Sequence, residues 1–131
     1  CKILKQEQHN ESSKILKYRK LFIKKIKANI PDVKINGDEL KRIPGNINLS
    51  FPSLKGQSII SAMPLLAVSS GSACTSSSPK PSHVLKNIGL DNKLINSSIR
   101  ICIGRFNTNE EINIAADIII KTVQQKSSYK Y

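Results

Sequence analysis

Apolar side chains at Ile15, Tyr18, Phe22 and Ile26 recur at helical spacing, and the pattern stops before Pro31, which disfavours helix at Ile30. The spacing predicts one long amphipathic helix that begins upstream of Ile15. Asp32 to Ile35 is a candidate strand, turned by Asn36-Gly37-Asp38. Beyond Pro44-Gly45, the run Asn46-Ile47-Asn48-Leu49-Ser50-Phe51 alternates polar and apolar residues. A period of two then puts Ile47, Leu49 and Phe51 on one face of a half-buried strand.

Gly56 to Met63 has the length of a short helix, punctuated by Pro64, and the apolar run Leu65 to Val68 reads as a buried strand. Composition then changes abruptly. Residues 69–78 read SSGSACTSSS, with little apolar surface to bury, which predicts an exposed, mobile loop closed by Pro79 and Pro81. Ser82 to Asn87 starts a short helix that Gly89 ends in a left-handed cap. Ile99-Arg100-Ile101-Cys102-Ile103 alternates again, with three isoleucines on one face and Arg100 with Cys102 on the other, aimed away from the core. Thr108 and Glu111 have the spacing of a capping box ahead of the stripe Ile112, Ala115, Ala116, Ile119 and Val123, so a last amphipathic helix is predicted, and the polar tail from Lys126 is expected to fray. Helix, strands with helices interspersed, then helix: the series implies a two-layer α/β (α+β) fold with a small antiparallel or mixed sheet covered by helices.

At 131 residues the chain has the size of one domain, spanning 1–131. Aromatic residues make up only 5% and Trp is absent, so the core must be built mainly from Ile, Leu, Val and Ala. A net charge of +12 raises the question of a polyanionic partner. Lysines 14, 17, 20, 24, 25 and 27 decorate the first predicted helix with no aromatic residue alternating in a stacking pattern, so a solvated face accounts for them and nucleic acid is not favoured. No apolar stretch approaches the roughly 18 residues of a membrane span, and the first residues lack a signal-peptide pattern, so no membrane association is expected. Cys1, Cys74 and Cys102 form no CxxC pair, and an odd count suits a reducing, cytoplasmic setting better than a disulfide framework.

Free cysteine is ordinarily among the most buried residue types, so Cys74, in the middle of a Ser/Gly loop, is misplaced for packing. Either its exposure is its value or it is an incidental loop residue. An ordinary thiol, with a pKa of about 8.5, is only partly ionised at neutral pH, so a nucleophile needs a base, a cation or a helix amino terminus nearby. His83, at the start of the following helix, would approach only if the loop folds back. Cys1 and Cys102 are weaker candidates, and a zinc site from Cys74 and His83 lacks further ligands at a familiar spacing.

The string SSGSACTSSSPKPSHVLKNIGL, residues 69–90, closely resembles the active-site loop and following helix of NifS/IscS-type cysteine desulfurases. The resemblance extends through INGDELKRIPGNINLSFPSLKGQSI at 35–59 and SSIRICIGRFNTNEEI at 97–112, covering the chain from about residue 15 to about residue 125. It implies fold type I of the pyridoxal-phosphate enzymes, in which a large domain holds the cofactor and a small domain comes largely from the carboxy-terminal part, which this chain matches. It implies that Cys74, by its place in SSGSACTS, takes sulfur from L-cysteine bound to pyridoxal phosphate, forming a persulfide and alanine. The sulfur would pass to an iron-sulfur scaffold protein or to tRNA thiolation machinery. The same resemblance assigns Arg100, the arginine of SSIR, to the substrate carboxylate, which a guanidinium can contact at two points where lysine cannot. From the residues alone, the preferred reading of Arg100 is an exposed strand residue paired with a surface acid, and Arg105 reads as structural. Small polar residues around Cys74 suit a segment that swings the thiol inward and out again.

Pyridoxal enzymes need a Schiff-base lysine, an acid for the pyridine nitrogen and phosphate-binding groups. The family places these on the large domain, where the lysine follows a histidine. Here His9 precedes Asn10 and His83 precedes Val84, so no cofactor-binding residue is assigned, and these 131 residues alone are expected not to turn over cysteine. The implied partners are the missing cofactor-binding domain, a sulfur acceptor and, in the complete enzyme, a second copy in a homodimer. Met63-Pro64-Leu65-Leu66 departs from the usual polar lead into a strand, Lys55-Gly56-Gln57 replaces a commonly acidic segment, and the longer tail that some members use to dock a scaffold is lacking. A non-catalytic persulfide carrier, or a decayed remnant lacking the cofactor domain, is the alternative reading.

Overall fold

The structure, a computed structural model, describes residues 2–70 and 81–128, with side chains from residue 6 onward. Its elements are α1 (Lys2–Asn29), β1 (Lys34–Ile35), β2 (Asn46–Ser50), α2 (Gly56–Ser61), α3 (His83–Asn87), α4 (Asn92–Asn96), β3 (Ser98–Cys102) and α5 (Asn109–Ser128). The strands form one antiparallel sheet in the order β1-β2-β3, with Ile47 opposite Ile101 and Asn48 opposite Arg100. The expected two-layer α/β arrangement with a small antiparallel sheet is what the chain adopts.

Period-two alternation gives the sheet two unlike faces. Ile47, Leu49, Ile99 and Ile101 point to one side, where they join Phe22 and Ile26 of α1 and Ile112, Ala116, Ile119 and Val123 of α5 in a single buried cluster. Asn46, Asn48, Ser50, Ser98, Arg100 and Cys102 occupy the other side. The two long helices run in the same direction: Glu11 meets Arg105 just before α5 at 2.6 Å, and further along Lys25 meets Asp117 at 2.8 Å. Arg105 is thus a strut between α1 and the turn after β3, and Glu11 raises its pKa by accepting its hydrogen bond. The capping box forms as the spacing predicts. The Thr108 N–H donates to the Glu111 carboxylate at 2.9 Å and the Glu111 N–H donates to Thr108 Oγ1 at 3.2 Å, and these bonds, with the Asn107 amide, hold the Glu111 carboxyl below its ordinary pKa.

Arg19 is a buried cation on α1, and three carbonyl oxygens satisfy it: those of Glu39, Ile43 and Pro44. It fastens the long β1–β2 connection against the helix. That connection turns at Gly37, whose φ of +80° strains any side-chain-bearing residue, and Asp38 accepts backbone N–H bonds from Leu40 and Lys41. The same backbone bonds lower the Asp38 pKa.

The sequence reading departs from the structure in three places. Leu65 to Val68 is not a buried strand: Leu65 is 85% exposed, and the Leu66 N–H turns back to the Met63 carbonyl at 3.0 Å. Pro64 sets this turn while buried Met63 anchors its start, and Leu66 and Val68 lie half-buried against the main core. Only Ser69, just beyond, pairs with the sheet, through an isolated bridge to Arg100. The second departure is α4, a five-residue helix capped by the Asp91 side chain, which the pattern of apolar positions did not reveal. The predicted β1 is also shorter than Asp32 to Ile35, whereas α3 is capped by Ser82 and followed by Gly89 at φ +89° as expected.

Gly45 sits where β2 begins, its carbonyl accepting the Ile103 N–H at 2.9 Å, and a Cβ there would lie 2.0 Å from the Ile103 carbonyl oxygen. Gly45→Ala is therefore expected to destabilise the fold by about 3 kcal/mol in urea denaturation. Gly104→Ala, whose Cβ would meet nothing nearer than Asn107 Oδ1 at 3.8 Å, is expected to cost less than about 1 kcal/mol. Equal effects would contradict the close strand approach.

Candidate functional site

The polar face of the sheet is organised by one side chain from each of several distant segments. Asn36, buried just after β1, extends the ladder by donating its N–H to the Asn48 carbonyl at 2.9 Å. Its Nδ2 donates to Asn48 Oδ1 at 2.6 Å, Ser50 Oγ at 2.7 Å and Ser98 Oγ at 3.2 Å. The two serine hydroxyls, 2.8 Å apart, donate in turn to the Leu94 carbonyl at the C-terminal half of α4. The network is closed: among the described residues no buried side-chain polar atom lacks a partner. Asn48 is held with its oxygen toward Asn36, in the register position directly opposite Arg100.

Arg100 itself is exposed, and among the described residues its guanidinium has no acid and no hydrogen-bond partner. The expectation that a surface acid pairs with it finds no counterpart there. Arg100 lines a cleft of about 460 Å³ with Asn36, Lys41, Arg42, Asn48 and Ser82. The Arg42 guanidinium is spent on structure, donating to the Asn36 carbonyl at 2.6 Å and to the Asp38 carbonyl at 2.5 Å. Partial burial first, and the neighbouring Arg19 charge second, lower its pKa. Arg100 and Lys41 are then the cations of the cleft whose side-chain donors are uncommitted to the described protein, and of the two only the planar fork of Arg100 suits a two-point contact with a carboxylate.

Two peptide segments converge on this residue. The Arg100 N–H donates to the Ser69 carbonyl at 2.6 Å, and the Ser69 N–H donates to the Arg100 carbonyl at 3.1 Å. On the far side of residues 71–80, buried Ser82 caps α3 by accepting the Leu85 N–H at 3.4 Å and lines the same cleft. Cys74 lies outside the described residues, as does Cys1. His83 is exposed in the first turn of α3 and does not line the cleft. Cys102 is an exposed thiol that borders a different, apolar groove between the 65–68 segment and α5.

Of the sequence-predicted site residues, the structure places Arg100 on the open polar face. Asn36, Asn48, Ser69 and Ser82 were not singled out from the sequence. The alternation that put Arg100 away from the core carries Asn46 and Asn48 to the same face, so that signal was present; the hub role of Asn36 depends on partners up to 62 positions away and had none.

Comparison with known proteins bears on this arrangement directly. The family described as Aminotransferase class-V matches residues 2–114. Among curated relatives, a protein named cysteine desulfurase IscS from Ehrlichia chaffeensis is 46% identical over 125 residues, which is 95% of this chain and 30% of the relative. The human protein named cysteine desulfurase is 43% identical over the same share of this chain and 27% of its own length. The chain therefore spans less than a third of these relatives. Among solved structures, a NifS-like protein from Rickettsia africae superposes with a TM-score of 0.77 at 26% identity, over 91% of this chain and 31% of that one.

If Asn36 organises the polar face, Asn36→Ala is expected to destabilise the chain by about 1–3 kcal/mol, since it strips a buried donor from three acceptors. The urea midpoint reads this out. A loss below about 0.5 kcal/mol would show that Asn48, Ser50 and Ser98 do not rely on it.

Proposed function

The chain belongs to the class-V aminotransferase family, and on that premise we propose that it forms the small domain of a cysteine desulfurase in which Cys74 receives sulfur from L-cysteine and Arg100 holds the substrate carboxylate. The overall exchange balances: the Cys74 thiol and L-cysteine give the Cys74 persulfide and L-alanine. The observation that carries the reading is that the two chain segments flanking residues 71–80 meet at Arg100, one hydrogen-bonded to it and the other lining its cleft. In the sequence Cys74 stands five positions after Ser69, the residue whose backbone pairs with Arg100.

Pyridoxal phosphate, the cofactor of this activity, supplies the electron sink that loosens the carbon–sulfur bond. The described residues do not fit it. Its aldehyde requires a lysine and its ring nitrogen a free carboxylate; Lys41 lines the cleft, but the carboxylate there, Asp38, is already engaged by the N–H groups of Leu40 and Lys41. Cofactor chemistry is accordingly assigned to a part of the protein beyond these 131 residues. What this chain contributes is orientation: a two-point contact from Arg100 fixes the α-carboxylate, so that the substrate side chain is presented to an approaching thiol. The persulfide then carries sulfur to an acceptor, an iron-sulfur scaffold protein or the tRNA thiolation machinery, in a cytoplasmic setting and, in the complete enzyme, as a homodimer.

The test combines this chain with a cofactor-bearing large domain and feeds L-cysteine. Mass spectrometry is expected to find an adduct of about 32 Da, one sulfur atom, on Cys74, and none when the chain is treated alone. Arg100→Lys is expected to raise the KM for L-cysteine at least about tenfold, and Cys74→Ala to abolish sulfide release. An adduct on Cys102 instead, or unchanged KM in Arg100→Lys, would overturn the assignment.

A further inference from the structure

We propose a second ligand site, independent of the desulfurase reading: a cleft built by three lysines that binds a small molecule bearing two or more phosphate groups. The cleft, of about 710 Å³, opens between the turn after β2, α4 and the C-terminal end of α5. Lys55, Lys93 and Lys126 line it, one from each of these regions, with Ser58 and Asn96 beside them over Leu54. It shares no lining residue with the Arg100 cleft. Its volume lies within the roughly 300–1,000 Å³ of small-molecule sites.

Charge is what distinguishes it. Among the described residues no carboxylate lines the cleft, and none of the three ammonium groups has an ion-pair or hydrogen-bond partner. Elsewhere the chain sets its few acids against its cations, as in Lys25 with Asp117, Lys27 with Glu39 and Arg105 with Glu11. Three like charges around one concavity repel, and a concave wall of low dielectric focuses their field on whatever enters. A multiply charged anion removes the repulsion.

The type of cation and the shape narrow the ligand. Ammonium groups are point charges that donate in three directions and match tetrahedral phosphate oxygens from several sides, whereas a carboxylate gains more from a planar guanidinium. An extended polyanion would engage the long exposed row Lys17, Lys20 and Lys24 along α1 rather than three lysines gathered around one open cleft. A compact diphosphate fits the cleft better than nucleic acid does.

Pyrophosphate titrated calorimetrically into the full 131-residue chain at about 0.15 M ionic strength is expected to bind at one saturable site. The double variant Lys55→Gln/Lys93→Gln is expected to weaken it at least about tenfold, and Lys126→Gln alone about threefold. The control pair Lys17→Gln/Lys20→Gln is expected to change it less than about twofold. Absence of saturable binding, or an equal loss in the control pair, would overturn the proposal and leave only the general charge of the molecule.

Discussion

The antiparallel register of β2 against β3 decides which side chains share a face, and most of the molecule's chemistry follows from it. Sliding β2 by a single residue would exchange its two faces, driving Asn48 into the core and Ile47 into water, and the same slip of β3 would bury Arg100 and expose Ile101. Each buried isoleucine resists that exchange by about 1.5–3 kcal/mol of hydrophobic transfer energy. Three such isoleucines, Ile47, Ile99 and Ile101, together with Leu49, are closed over by α1 and α5, so the register is fixed by packing and not by polar contacts. Arg100 is consequently held in place by the residues on either side of it. The polar network around Asn36 tightens the open face once the register is set.

That origin explains how much could be read in advance. β2, β3 and α5 were legible because each alternation or stripe is a local signature of burial on one side, and the Thr108–Glu111 capping box is a local hydrogen-bond geometry. Leu65 to Val68 misled because a continuous apolar run has no period, so nothing in it separates a strand from a turn that lays half-buried side chains on a groove. α4 escaped because five residues cannot display a helical stripe, although Asp91 is a serviceable cap. Asn36 read as a turn residue, and it is one in part: Gly37 beside it carries the positive φ. Its second role, as donor to Asn48, Ser50 and Ser98, is a tertiary property without a sequence period.

The candidate site was legible in a different way. Alternation aimed Arg100 outward, but only resemblance gave it a ligand, and composition alone left Cys74 undecided between a nucleophile and an incidental loop residue. The described structure adds the convergence of Ser69 and Ser82 on Arg100, which neither periodicity nor composition contains. The chain belongs to the class-V aminotransferase family and spans about 30% of the length of a cysteine desulfurase relative. Arg105, by contrast, is a strut between α1 and the turn after β3, so two arginines five residues apart serve opposite ends: one binds protein, the other is left open.

The claim beneath all of this is that the segment leading into residues 71–80 is pinned to Arg100 through its backbone. Amide hydrogen exchange at Arg100 tests it most directly, because that N–H lies on the outer edge of β3 and has Ser69 as its acceptor. Exchange slowed at least about a hundredfold relative to an open edge amide, matched by the Ser69 N–H, is the result the account predicts. Exchange of the Arg100 N–H at the rate of an unprotected amide would contradict it, since the flanking segment would then not be held at the candidate site.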